Sequence, residues 1–254
     1  MDGLNILRRV YGAIPGDDSR EKAEGAVRSS IGTVKRLLKV HQPTHTVMAF
    51  DHGGETFRHR MYPAYHEGRK PMPEPLRDQL PNMVELLQQL GILSLSVPDV
   101  EADDVLATIS TKYVQSGRGL AVVSTTDKDL AQLISAGVRI YDQFADAFVT
   151  EEQLLKKFCV KSDRLGDCLA LMSDTVDGIP GVPDVGPVTA GKWLAEYGDL
   201  DGVLANAQAI KGVRGQRLRD NLENVILSRK LVTLKTDVVL NLTWNRIVYP
   251  PATA

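Results

Sequence analysis

The sequence predicts an α/β protein, with a mostly parallel central sheet flanked by helices and a C-terminal region that is nearly all helical. Three observations predict it. Short β-branched runs alternate with longer helical patterns through the first two thirds, the strands stop near residue 151, and carboxylates recur where the strands should end. Residues 1–150 are expected to form the α/β core, and residues 151–254 a helical region that completes the site.

Asp2 heads the chain, ahead of an amphipathic helix. Val27, Ile31, Val34 and Leu38, spaced four, three and four apart, mark the buried face of the next helix. Residues 46–51 read as a buried strand ending in Asp51, and 92–96, 120–124 and 138–141 as further strands. A helix is expected to begin within Val100-Glu-Ala-Asp-Asp-Val105. The segment 53–75 is long, basic and poor in aliphatic residues, and such a segment inside a compact domain is usually functional. A Gly/Pro-rich stretch at 178–187 interrupts the helical third.

A chain of 254 residues suits one large domain, or a domain with a small appendage. With 43% hydrophobic and 24% charged residues, wholesale disorder is excluded. No apolar run approaches the roughly 18 residues that span a bilayer, and the opening Met-Asp-Gly lacks the signal-peptide pattern. Cys159 and Cys168 have neither CxxC nor zinc-ligand spacing, so reduced thiols in a cytoplasmic protein are expected. The net charge of −2 does not advertise a nucleic-acid binder, but it averages two opposed populations.

The acidic population is Asp2, Asp51, Glu101, Asp103, Asp104, Asp127, Asp129, Asp174 and Asp177. Any one of them can be read as a helix cap or a dipole partner. Together, at the C-terminal edge of one sheet, where open α/β sheets bind ligands, they would repel one another unless cations neutralise them. Oxygen-only donors without Cys or His suit Mg²⁺ or Mn²⁺. Two such ions activate water and stabilise both apical oxygens of an in-line phosphoryl displacement. The residues alone thus suggest a two-metal phosphodiesterase.

Several motifs carry a resemblance. Phe50-Asp51, Phe57-Arg58, Tyr65-His-Glu-Gly-Arg69, Glu101-Ala-Asp-Asp104, Ser124-Thr-Thr-Asp-Lys-Asp129, Leu171-Met-Ser-Asp-Thr-Val-Asp177 and Ile179-Pro-Gly-Val-Pro-Asp-Val-Gly186 resemble the motifs of the 5′-nuclease family. That family comprises flap endonucleases and the 5′-nuclease domain of bacterial DNA polymerase I. The phrase His41-Gln-Pro-Thr-His45 is similar to the stand-alone bacterial exonuclease IX group. The resemblance runs from Asp2 to about Asp237 and implies a PIN-like nuclease fold with a helical arch at about 53–75 and a helix-hairpin-helix at about 171–192. It implies metal-dependent cutting of DNA near 5′ single-strand/duplex junctions, leaving a 5′-phosphate. It further implies a nucleoid-associated monomer without membrane attachment.

By that resemblance all nine carboxylates are metal ligands for two Mg²⁺ or Mn²⁺ ions. Asp129, Asp174 and Asp177 supply the second set, which exonuclease IX proteins often lack in part. Arg58 and Arg69 match positions that grip the scissile phosphate, with guanidinium charge favouring the transition state. Tyr62, Tyr65 and Lys70 are expected to meet the single strand by stacking and charge. The hairpin, with Asp184, Val185, Gly186, Pro187, Val188 and Thr189, would meet duplex phosphate. The carbonyls of Leu171, Met172, Pro180, Val182 and Val185 would hold a K⁺ ion.

Four features depart from the family pattern. His66 stands where a lysine is usual, which suggests a more acid-dependent turnover. Asp184 replaces a glycine and Val188 a lysine, which suggests weak duplex binding that Asp184→Gly would tighten. Asp2 should close a central strand, yet one methionine precedes it, so about seven further apolar residues are expected natively, from ordinary strand lengths. The basic residues Lys211, Arg214, Arg217, Arg219, Arg229, Lys230 and Lys235 are read as a solvated face in preference to a contact. Two other functions fit less well: a catalytically feeble junction binder has no use for nine carboxylates, and a PIN-type ribonuclease usually lacks both arch and hairpin.

Overall fold

The structure is a computed structural model that describes residues 1–250. Helices α1 (Gly3–Ala13) and α2 (Arg20–His41) open the chain, capped by the side chains of Asp2 and Ser19 respectively. The buried face of α2 includes Ala23, Val27, Ile31 and Val34, at the expected helical spacing, and ends at Leu37. Strand β1 (Val47–Ala49) follows, then α3 (Phe57–Met61), α4 (Glu74–Arg77), α5 (Leu80–Gln89), β2 (Leu93–Leu95) and α6 (Ala102–Gln115). Strands β3 (Ala121–Ser124), β4 (Val138–Asp142) and β5 (Ala147–Phe148) complete the core. All expected strands are present within a residue or two of their expected ends.

Strand β1 pairs in parallel with β2, Met48 opposite Ser94, and β3 pairs in parallel with β4, Val123 opposite Ile140. Strand β5 turns back antiparallel on β4. The two ladders are joined by the first two residues. Met1 O accepts from Ala49 N at 2.9 Å, Asp2 forms a parallel bridge with Ala49, and Asp2 N donates to Ser124 O at 3.1 Å. Met1 and Asp2 thus form a single rung that joins β1 to β3, and no strand among the described residues contains Asp2. The Met1 ammonium donates to Val47 O at 2.9 Å, and burial lowers its pKa to about 6. Behind it a cavity of about 430 Å³ continues between β1 and β3, walled by Val47, Leu106, Ile109 and Val123.

Helices cover both sheet faces, as parallel sheets require. Ile6, Leu7, Val27, Met83 and Leu87 pack on one side, and Val105, Leu106, Leu130 and Ile140 with Ile247 on the other. The C-terminal helices are α7 (Glu151–Phe158), α8 (Ser162–Leu171), α9 (Pro187–Tyr197), α10 (Leu200–Ala205), α11 (Gly212–Asp220) and α12 (Leu222–Val232). They form a third core around Leu165, Leu171, Val182, Trp193 and Leu218, which also takes in Tyr65 and Ala131.

The segment 53–75 is less helical than an arch implies: α3 has five residues, and turns follow it. It does not stand clear of the molecule. His66 N donates to Asp177 O at 3.1 Å. Gly68 and Gly178 are small because a Cβ would lie 2.6 Å from Thr175 O and 2.4 Å from Ala64 O, respectively. Close backbone packing therefore ties this segment to the loop that carries Asp174 and Asp177.

Candidate active site

Each central strand delivers its carboxylates where it ends. Asp2 follows the Met1 rung, with Oδ1 accepting from Asn5 N at 3.0 Å and Oδ2 from Thr125 Oγ1 at 3.0 Å. Asp51 lies two residues beyond β1 and accepts from Ala102 N at 2.8 Å. Glu101 caps α6, whose first turn carries Asp103 and Asp104. Asp127 and Asp129 follow β3, and Asp127 Oδ1 accepts from Asp129 N at 2.9 Å. Asp2, Asp51, Glu101, Asp103, Asp127 and Asp129 line a single cavity of about 390 Å³.

Packing acids together in a sheltered cavity makes their ionisation costly. Burial, opposed by hydrogen bonds from Asn5 and Thr125 and reinforced by Asp51 and Asp127, raises Asp2 to about 6. Burial first, then Asp127, raises Asp129 to about 7. Burial raises Glu101 to about 7, partly offset by Arg58. Asp103 is raised well above the usual carboxylate range by burial and by Asp127, Asp2 and Asp51. Asp129 Oδ1 is buried with no hydrogen-bond partner.

The other three carboxylates are already held by cations. Asp104 is fully buried and takes two bonds from Arg58, at 2.6 and 2.8 Å. It also accepts from the backbone N–H groups of Glu101 and Lys235. Lys128 Nζ lies 2.8 Å from Asp174 and 3.3 Å from Asp177, and Arg69 lies 2.7 Å from Asp177. Against the effect of burial, Lys128 holds Asp174 below the usual carboxylate range. Among the described residues, no three acidic, His or Cys side chains already stand in a metal-coordinating arrangement. The cavity-lining set is nonetheless oxygen-only, charge-rich and under-neutralised, which fits a hard divalent cation.

Expectations for five residues change in the structure. Arg58 is 2% exposed, and its donors are occupied by Glu101, Asp104, Leu231 O and Thr233 O. It therefore braces Glu101 and Asp104 from inside the fold. Tyr65 is buried; its hydroxyl donates to Glu101 at 3.2 Å, and its ring stacks on His66 at 3.7 Å, so it offers no face to a base here. Tyr62 is half-buried against the C-terminal core. His66 adopts φ +62°, and burial, with Arg69 adding to it, lowers its pKa to about 3. Its imidazole is neutral at pH 6, so it does not replace a lysine's charge. Asp184 is ion-paired with Arg217, so its charge does not simply repel a phosphate.

Arg69 and Lys70 line the wall of the cavity. The sequence reading missed Arg8 on that wall, Thr125 and Asn5 as holders of Asp2, and Lys128 as partner of Asp174. Lys128 lies in plain view between Asp127 and Asp129, but only the fold brings it to Asp174. In the hairpin, Leu171 O accepts from Val182 N and Val182 O from Val185 N. Val185 is buried, Val188 is 73% exposed, and Gly186 caps α9 ahead of Pro187. Gly181, at φ +48°, leaves no room for a Cβ against Met172 O.

The family model for the 5′-3′ exonuclease N-terminal resolvase-like domain matches residues 1–159, and that for the 5′-3′ exonuclease C-terminal SAM fold matches residues 160–254. A protein named flap endonuclease Xni from Shewanella woodyi is 34% identical over 250 residues, spanning 98% of this chain and 97% of its own. The Psychromonas ingrahamii protein of that name is 32% identical over 261 residues, 100% and 97% of the two chains. In fold, the chain is similar to bacteriophage T5 5′-exonuclease bound to zinc, at a TM-score of 0.77, 20% identity and coverage of 92% and 88%. It also resembles the catalytic core of Rad2 in complex with DNA substrate, at a TM-score of 0.59, 17% identity and coverage of 96% and 81%. Both halves of the sequence and the whole of the fold therefore lead to one conclusion: this chain belongs to the 5′-3′ exonuclease family.

Proposed function

We propose that this protein is a structure-specific 5′ nuclease, a flap endonuclease that hydrolyses a DNA phosphodiester near a 5′ single-strand/duplex junction. The observation that carries the reading is the cavity in which six carboxylates from four segments of the chain meet Arg8, Arg69 and Lys70. Relatives named flap endonuclease, aligned over nearly their whole length, support it, as does T5 flap endonuclease, a neighbour in fold solved with DNA and metal ions. The hairpin and the segment 53–75 favour this reading over a ribonuclease of PIN type.

Asp2, Asp51, Glu101, Asp103, Asp127 and Asp129 would hold the divalent cations, Mg²⁺ in the cell, with Asp174 and Asp177 joining once Lys128 is displaced. The chemistry that bound cations would supply here is a more acidic attacking water and compensation of the charge that develops on the phosphate. The chain's own residues do the rest. Arg69 and Lys70 bind the phosphate at the rim, and the phosphate competes with Asp177 for Arg69. Arg58 and Tyr65 fix Glu101, while Thr125 and Asn5 fix Asp2, so that these carboxylates need not reorganise as charge develops. At the hairpin, the carbonyls of Leu171, Met172, Pro180, Val182 and Val185 would hold a K⁺ ion, which would add positive charge beside the duplex.

A 5′-labelled flap on a duplex, incubated with Mg²⁺ or EDTA, tests the reading. Junction-proximal cleavage that needs metal, that Asp127→Asn abolishes, and whose downstream product is ligatable, and so carries a 5′-phosphate, is expected. Binding without cleavage at any Mg²⁺ concentration would instead favour a junction binder, the reading to which the grip of Lys128 on the second carboxylate set lends some weight.

A further inference from the structure

The nine carboxylates differ in what already neutralises them. Asp2, Asp51, Asp103, Asp127 and Asp129 take part in no ion pair among the described residues. Asp174 and Asp177, by contrast, are bridged by one ammonium: Lys128 Nζ lies 2.8 Å from Asp174 Oδ2 and 3.3 Å from Asp177 Oδ2. The remaining oxygens of the two acids are taken as well. Asp174 Oδ1 accepts from Val176 N and Asp177 N, and Asp177 Oδ1 accepts from Arg69 Nε at 2.9 Å.

Lys128 is fixed in this position from its own side of the site. It caps the short 3₁₀ helix Asp129–Leu133, and its carbonyl accepts from Ala131 N. Against the effect of burial, Asp129 and then Asp174 and Asp177 hold its ammonium above the ordinary lysine range. Lys128 is therefore a permanent positive charge and takes no part in titration. A cation shared by Asp174 and Asp177 would take the place this ammonium occupies. Coulomb attraction favours a divalent ion, which carries twice the charge and approaches oxygen more closely. Such an ion must nonetheless displace a hydrogen-bonded partner tethered to the same chain, whose effective concentration is high. The five acids without an ion pair set no such condition.

We propose that Lys128 is a tethered counter-ion that stands in for a second divalent cation, so that loading of the site is sequential. The first ion meets acids that have no ion-pair partner, and the second enters only by exchange with Lys128. Until then the lysine holds the loop that carries Asp174 and Asp177 in register with the strand that carries Asp127 and Asp129. Lys128 is thus a positioning residue whose contribution ends when metal replaces it, unlike a structural ion pair, which contributes with or without metal. The inference rests on the nuclease reading and deepens it.

The test is Mn²⁺ binding to the full chain, followed by electron paramagnetic resonance of the free ion, together with thermal melting in EDTA and at saturating Mn²⁺. Wild type should show one tight and one weaker site. Lys128→Met, which keeps the side-chain length and drops the charge, should tighten the weaker site roughly tenfold or more and leave the tight one unchanged. It should melt below wild type in EDTA and match it at saturating Mn²⁺, because the bound ion replaces the lost charge. Lys128→Arg keeps the charge and should retain the weaker site. A weaker site that is unchanged or loosened in Lys128→Met, or a melting deficit that persists at saturating Mn²⁺, would overturn the inference and leave Lys128 a structural ion pair. So would a wild type that cuts a 5′ flap with a single bound ion at every concentration. If wild type took up no Mn²⁺ and left the flap uncut in Mg²⁺, the nuclease reading itself would have failed, and the role of Lys128 with it.

Discussion

At the scale of single residues, the site divides its charges by what they face. Arg58 and Asp104 are buried together, and removing one leaves the other uncompensated. Asp104→Ala should therefore cost about 3–5 kcal/mol of stability, visible as a large fall in melting temperature with or without metal. It would be a poor catalytic control for that reason. Asp129→Asn should behave in the opposite way. Its carboxylate is strained by burial and by Asp127, so the amide should raise the metal-free melting temperature while cutting the cleavage rate roughly 10³-fold. A variant that lost both stability and activity would show that Asp129 serves the fold. His66 gives a third expectation at this scale. Its pKa near 3 leaves it neutral from pH 6 to 8, so His66→Asn, which tolerates φ +62°, should keep the shape of the pH–rate profile in that range. A displaced profile would restore a titrating role.

Among elements, close backbone packing joins the segment after α3 to the loop that carries Asp174 and Asp177. Two short backbone approaches and the Arg69–Asp177 pair hold them together. Gly178 has φ +69°, and a Cβ there would lie 2.4 Å from Ala64 O. Gly178→Ala should cost on the order of 1–3 kcal/mol and should raise the Mg²⁺ concentration needed for half-maximal cleavage, because it pushes the loop that carries Asp174 and Asp177 away from the segment after α3 and so out of register with the cavity. If the metal requirement stayed unchanged, the contact would be a fold element with no bearing on the site. The α8–α9 turn is built on the same principle: Gly181 packs on Met172 O and donates its N–H to Ser228 Oγ at 2.8 Å.

For the whole molecule, the raised carboxylates make stability depend on pH and metal. Asp2, Glu101 and Asp129 titrate near 6 to 7 when folded, against about 4 in an unfolded chain. Between those values the native state holds protons that the unfolded state has lost, so this contribution is complete below about pH 4 and fades as pH rises to about 7. In EDTA the melting temperature should fall from pH 5 to pH 8. Divalent cation, which takes over the role of the protons, should remove most of that slope. A flat profile in EDTA would mean that the acids relax apart when metal is absent. No helix among the described residues is long and apolar enough to cross a membrane, and the two cysteines are free thiols.

The alternation of strands and helices, the strand ends and the identity of the acidic residues are legible in the chain alone. Those features follow from local periodicity and from residue type, which neighbours in the chain settle between themselves. The chain also carries the motifs from which the family could be read over nearly its whole length. Which acids face the cavity and which are already paired is set by long-range packing. Arg58 finds Asp104 across 46 residues, Lys128 finds Asp174 across 46, and Arg217 finds Asp184 across 33. Pairings at such separations depend on packing, and no spacing rule encodes them. The burial that turns Tyr65 inward and keeps His66 neutral is of the same kind. Charge is written in the sequence, but its environment is set by residues that meet only when the chain is folded.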